Sequence, residues 1–214
     1  MSDQDNSAPP GLTSEERFLW LKTQLQNGNL SQLPLKDPAD PTRKLRSRLY
    51  RYAIWLLGRS ELSRADLQSK IEGFVARKQE AKVKSFDLPV SELNQIVLSV
   101  LDQLSEQNYQ SDTRASKTLV RSQVFKGRGK RRIQQELKQK KLDPSAVAEQ
   151  LDEVNWIINA AELRLKKFGL PLPTEPKEKA RQTRFLAYRG FDFDVIRKVL
   201  ERDIDELREW YGDA

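Results

Sequence analysis

Residues 133–151, IQQELKQKKLDPSAVAEQL, and residues 182–200, QTRFLAYRGFDFDVIRKVL, carry one pattern written twice. A shift of 49 residues places Leu137, Leu142, Asp143, Val147 and Leu151 on Leu186, Phe191, Asp192, Ile196 and Leu200. The apolar spacing is that of helix faces, and the aspartate stands where it caps the start of a new helix. Upstream, Ser111 can cap a helix through about Phe125, GKRRIQQELKQKK supplies a second around Ile133 and Leu137, and Asp143-Pro144 opens a third. Downstream, another round begins near Trp156 with Ile157, Ile158, Ala161, Leu165 and Phe168, breaks at GLPLPTEP and resumes through KARQTRFLAYRG. It closes in a final helix bearing Val195, Ile196, Val199, Leu200, Ile204, Leu207 and Tyr211.

The first round fits more loosely. Leu45, Leu49, Tyr52, Ala53 and Leu56 mark a helix that ends near Gly58, Ser63 caps a second with Leu67, Ile71, Phe74 and Val75, and a third follows Pro89 with Leu93 to Leu104. QEAKVKSFDL, residues 79–88, reads as an insertion between the second and third helices. No run of alternating β-branched residues suggests a strand, so the expectation is an all-α chain of three tandem three-helix repeats. The approximate boundaries are 41–106, 107–153 and 154–214, and repeats that bury their cores against neighbours predict an elongated body. Residues 1–40, punctuated by Pro9, Pro10, Pro34 and Pro38, read as a mobile arm with one possible short helix in EERFLWLKTQL.

Composition narrows the chemistry. Among 214 residues there is no histidine and no cysteine, which excludes a thiol nucleophile, a disulfide, a zinc finger, a Ser-His dyad and a haem ligand. Only 37% of residues are hydrophobic, and no stretch approaches the ~20 apolar residues that span a bilayer. The opening MSDQDNSAPPG lacks the basic and apolar regions of a signal peptide, so a cytoplasmic protein with no membrane partner is expected. Asp203, Asp205 and Glu206 are expected on an exposed helix face, where carboxylates are poor general acids. Catalysis, a metal and a cofactor are therefore not expected.

A net charge of +7 points to an anionic partner. Residues 114–141 hold eleven Lys and Arg against Glu136, a surplus of ten charges, while the rest of the chain is net negative. Arg121, Lys126, Arg128, Lys130, Arg131, Arg132 and Lys138 are the candidate contacts for a partner or for DNA. The Gly127 to Lys130 turn places glycines at a helix start, where open backbone N–H groups would add to the cationic side chains. GRGKRR lacks the Gly-Lys-Ser/Thr ending of a phosphate-binding loop. A second basic stretch, Arg43, Lys44, Arg46, Arg48 and Arg51, interleaves with Leu45 and Leu49 and is equally well read as a solvated helix face. Most of the tryptophans are expected in the core rather than stacked on bases.

Three blocks then resemble one family. LYRYAIWLLGRSELSRADLQSKI is similar to the opening of RecX regulatory proteins, NYQSDTRASKTLVRSQVFKGRGKRRIQQELKQKKLD resembles their central block, and RFLAYRGFDFDVIRKVL their C-terminal block. The departures are Ala115 and Ser116 after the Asp turn, and Lys141 where a glycine commonly closes the central helix. The resemblance implies tandem three-helix repeats and a regulator that binds the RecA filament and limits its growth, ATPase and strand exchange in recombination, repair and the SOS response, and the continuous helical periodicity is expected to give a monomer. Direct contact with single- or double-stranded DNA through the basic segment is the alternative reading.

Overall fold

The computed structural model describes residues 42–211 and, before them, Glu16, Leu19, Trp20 and Thr23. Phe18, Leu21 and Leu25, expected to line the short N-terminal helix, lie outside the described residues. Ten α-helices run in chain order among the described residues of the main body: α1 (Arg43–Arg59), α2 (Arg64–Glu80), α3 (Val90–Glu106), α4 (Asp112–Phe125), α5 (Lys130–Gln139), α6 (Ala148–Asp152), α7 (Trp156–Phe168), α8 (Pro176–Arg189), α9 (Phe193–Glu201) and α10 (Ile204–Tyr211). Short 3-10 turns cover Lys84–Phe86 and Pro144–Val147, and no described residue is in a strand. The chain divides into two compact units, residues 1–115 and 116–214.

In the first unit α1, α2 and α3 pack on one another around Leu45, Leu49, Ala53, Leu67, Ile71, Leu93, Ile96 and Leu101. Ser63 caps α2 by accepting from the Asp66 N–H at 3.0 Å. Residues 79–88 are more than an insertion. Their 3-10 turn touches both α1 and α2 and buries Phe86 completely, edge-on to Phe74 at 5.8 Å between centroids. Trp20, half-buried, lies against the same core, 6.0 Å from Tyr109.

The buried face of α1 is rotated from the expected one. Tyr50, Ile54 and Leu57 are inside, and Tyr52 and Leu56 are half-buried. A buried tyrosine is tolerated because its hydroxyl donates to Gln107 Oε1 at 2.6 Å. Burial pushes the Tyr50 phenol well above its ordinary pKa.

In the second unit the repeated pattern is the core. Leu137 and Leu186, Leu142 and Phe191, Val147 and Ile196, and Leu151 and Leu200 are all buried. α7 packs on α8, α9 and α10, with Ala160 and Ala161 innermost. The expected single final helix is instead two, α9 and α10. Arg202 is extended, and Asp203 Oδ1 accepts the N–H groups of Asp205 and Glu206 at 3.0 and 2.9 Å, so the aspartate starts a new helix. Asp143 caps as expected, accepting the Ser145 N–H at 2.9 Å, whereas Asp192 makes no cap.

One main-chain contact ties the second round to the third. Gly129 N–H donates to Arg189 O at 2.9 Å and Arg131 N–H to Gly190 O at 3.2 Å. The strands of chain approach so closely that a Cβ on Gly129 would lie 2.3 Å from the Gly190 carbonyl carbon, and one on Gly190 would lie 2.4 Å from Arg132 Cβ. Gly190 also has φ +94°, a left-handed conformation that glycine adopts freely.

Candidate functional site

The candidate cations surround the turn from α4 into α5. α4 ends through Gly127, at φ +66°, with Arg128 N–H donating to Gln123 O at 3.0 Å. Two of the open amides expected at this turn are not available to an anion. Those of Gly129 and Arg131 are bonded to the carbonyls of Arg189 and Gly190, because the glycines serve the close approach of two backbone segments. Two of the candidate side chains are also engaged. Lys130 Nζ pairs with Asp152 Oδ1 at 2.7 Å, and Arg131 Nε pairs with Asp192 Oδ1 at 2.8 Å, the carboxylate that does not cap α9.

Arg121, Lys126, Arg132 and Lys138 are exposed, Arg128 is half-buried, and none of the five forms an ion pair among the described residues. Phe125, next to Lys126, has 93% of its surface in solvent, so it contributes nothing to the core. It lines a groove together with Lys126, Lys166, Lys167, Phe185 and Arg189. Glu162, the carboxylate in that groove, is paired with Arg208 at 3.4 Å. The local arrangement thus offers exposed cations next to an exposed ring.

Arg114 belongs to the structure rather than to this surface. Its guanidinium bonds to Glu61 at 3.2 Å and to the carbonyls of Asn108 and Tyr109 at 2.8 and 2.9 Å within the first unit, and burial lowers its pKa. The cation that local charge counting missed is Arg164, buried on α7. Its Nε donates to Gln182 Oε1 at 3.1 Å and its Nη2 to Pro171 O at 2.5 Å, which pins the GLPLP loop to α7 and α8. Gln182 in turn donates to Glu178 Oε1 at 3.1 Å, and that bond leads the causes that lower the Glu178 carboxyl pKa. No group of three carboxylates among the described residues is placed to hold a metal ion.

Repeated three-helix modules of this kind define an all-α helical-repeat protein. Residues 111–151 match the family model described as RecX, second three-helix domain, and residues 159–200 match RecX, third three-helix domain. Regulatory protein RecX of Acinetobacter baylyi is 38% identical over 151 residues, covering 69% of this chain and 94% of that relative. Its counterpart in Chromobacterium violaceum is 37% identical over 75% of this chain and 93% of the relative. The Pseudomonas putida protein is 33% identical over 73% and 92%. The chain belongs to the RecX family. Its relatives are named regulatory proteins, and it is a regulator rather than an enzyme. No helix among the described residues is long and apolar enough to cross a membrane.

Proposed function

We propose that this chain acts as a cytoplasmic monomer that binds the RecA–DNA filament and restrains its growth, ATPase and strand exchange in recombination, DNA repair and the SOS response. Three repeats with boundaries near 106 and 153 would then be read by the filament as successive modules. The observation that carries this reading is the kinship with proteins named regulatory protein RecX, and the unpaired cations of α4, α5 and the turn between them support it. An exposed aromatic ring beside unpaired cations supplies the side chains that form a docking hot spot once a partner desolvates them. Arg121, Lys126, Arg128, Arg132 and Lys138 are the primary contacts in this proposal. Lys130 and Arg131 are secondary, since each must first give up an ion pair.

The test is RecA ATPase on saturating single-stranded DNA with the regulator substoichiometric. Inhibition under those conditions supports filament binding, because competition for DNA cannot produce it. Reversing Arg128 and Arg132 to Glu is expected to weaken inhibition more than reversing Lys130 and Arg131. No effect of the wild-type chain on ATPase or strand exchange would reject the proposal. Inhibition only when DNA is limiting would instead favour the second reading, a nucleic-acid-binding module that competes for phosphates.

A further inference from the structure

α1 is the other cationic element of the molecule. Its 17 residues include Arg43, Lys44, Arg46, Arg48, Arg51 and Arg59, and no Asp or Glu. Lys44, Arg48, Arg51, Trp55 and Arg59 recur at spacings of three and four, and all five are exposed. They therefore form one stripe along the helix, opposite the face that buries Leu45, Leu49, Ala53 and Leu57. The stripe borders a groove of about 790 Å³ whose other wall is Val83, Lys84 and Ser85 of the 3-10 turn. No carboxylate lines that groove, and no side chain of the stripe forms an ion pair among the described residues. Arg48 Nη1 donates to Ser85 Oγ at 2.7 Å, which leaves its positive charge uncompensated.

At the end of the stripe stands an exposed aromatic platform. Trp55 keeps 47% of its surface in solvent. It stacks on Tyr52 at 6.0 Å and 18°, and Tyr52 stacks on Phe74 at 4.3 Å and 19°. The indole is thus braced from the core side. The Arg59 guanidinium lies 4.8 Å from its ring centroid. An exposed cation–π contact is weaker than a stacked base, so a base can replace Arg59 and release its charge to a phosphate.

We propose that this face of α1 binds single-stranded nucleic acid, with phosphates along Lys44, Arg48, Arg51 and Lys84 and an unpaired base stacked on Trp55. Successive stripe residues are about 4.5–6 Å apart along the helix axis, a ladder that a flexible strand can follow. A duplex offers phosphates but keeps its base faces stacked. A lipid surface would require an apolar helix face turned outward, and that face of α1 is in the core. The site lies outside the α4–α5 segment and needs no RecA for its test.

Binding of the full-length chain to fluorescein-labelled oligo(dT) of about twenty nucleotides, and to a duplex of the same length, is measured by anisotropy across a salt series without RecA. Trp55→Ala is expected to weaken oligo(dT) binding about tenfold and to leave duplex binding unchanged, with Trp55→Phe retaining most of the affinity. Arg48→Glu with Arg51→Glu is expected to lower the log–log salt slope for oligo(dT) by about 1.4. Unchanged oligo(dT) binding in either variant, or equal losses for duplex and single strand in Trp55→Ala, would overturn the proposal. So would a loss of RecA inhibition in these variants with oligo(dT) binding intact, because the face would then dock protein. The reading as a RecA regulator fails separately, if wild-type protein leaves RecA ATPase untouched while the oligo(dT) results hold.

Discussion

The turn from Leu137 to Leu142 and the turn from Leu186 to Phe191 are closed by the same hydrogen bond. Leu142 N–H donates to Leu137 O at 2.9 Å, and Phe191 N–H donates to Leu186 O at 3.2 Å. Both pass through a left-handed residue, yet that residue is Lys141 at φ +54° in one and Gly190 at φ +94° in the other. Lys141 is exposed and meets nothing that forbids its side chain. Gly190 lies against the Arg132 backbone, where a Cβ would come within 2.6 Å of the Arg132 nitrogen. The turn by itself thus tolerates a side chain, and the glycine at 190 is required by what packs against it.

The largest effect that separates the two turns is expected at Gly190. Gly190→Ala combines a left-handed alanine with a clash against backbone that cannot swing away, a loss of about 4 kcal/mol in urea unfolding. A cost below about 1 kcal/mol would show that α5 and the α8–α9 turn can separate freely. Next come Leu137→Ala and Leu186→Ala, both fully buried, each expected to cost about 3 kcal/mol. Unequal losses would show that one copy of the pattern relaxes around its cavity better than the other.

Lys141→Gly is expected to act in the opposite direction, raising stability by about 0.5–1 kcal/mol by relieving a left-handed lysine. The smallest contrast concerns the two aspartates. The Ser145 hydroxyl and N–H hold the Asp143 carboxyl below its ordinary pKa. Its contribution is therefore fully present above the unfolded value of 3.8 and is lost as pH falls through the lowered folded value. Asp143→Ala should flatten the acid limb of the pH–stability curve, and an unchanged acid limb would show that this cap is immaterial.

The helices and the repeated pattern were legible because Leu137, Val147 and Leu151 and their counterparts occupy positions set by helical periodicity alone. The rest depended on contacts between residues far apart in sequence. Asp192 looked like a second cap, but Arg131 takes its carboxylate from across 61 residues. The Gly127–Lys130 turn looked like an anion cradle, and only the approach of Gly190 shows where its amides go. Helical spacing alone puts Tyr52 and Leu56 on the core face of α1, one step of rotation away from Tyr50, Ile54 and Leu57. That small rotation is what turns Trp55 outward and makes a stripe of what charge counting gave as an ambiguous face. Summed charge hid the same stripe, since acids elsewhere in the chain cancel the cations of α1.

The contact between Gly129 and Gly190 also sets the grain at which this architecture can be edited. Repeat arrays that join through side chains accept the trimming or grafting of single modules, because new side chains can repack at the joint. Here the joint is main chain. Excising the third module would strip the acceptors from the Gly129 and Arg131 amides, and a grafted module would need a residue without a side chain opposite Arg132. Within residues 116–214 the smallest portable piece is therefore the pair of modules, and deletions or swaps that respect the pair should yield folded chimaeras where exchanges of one of its modules do not.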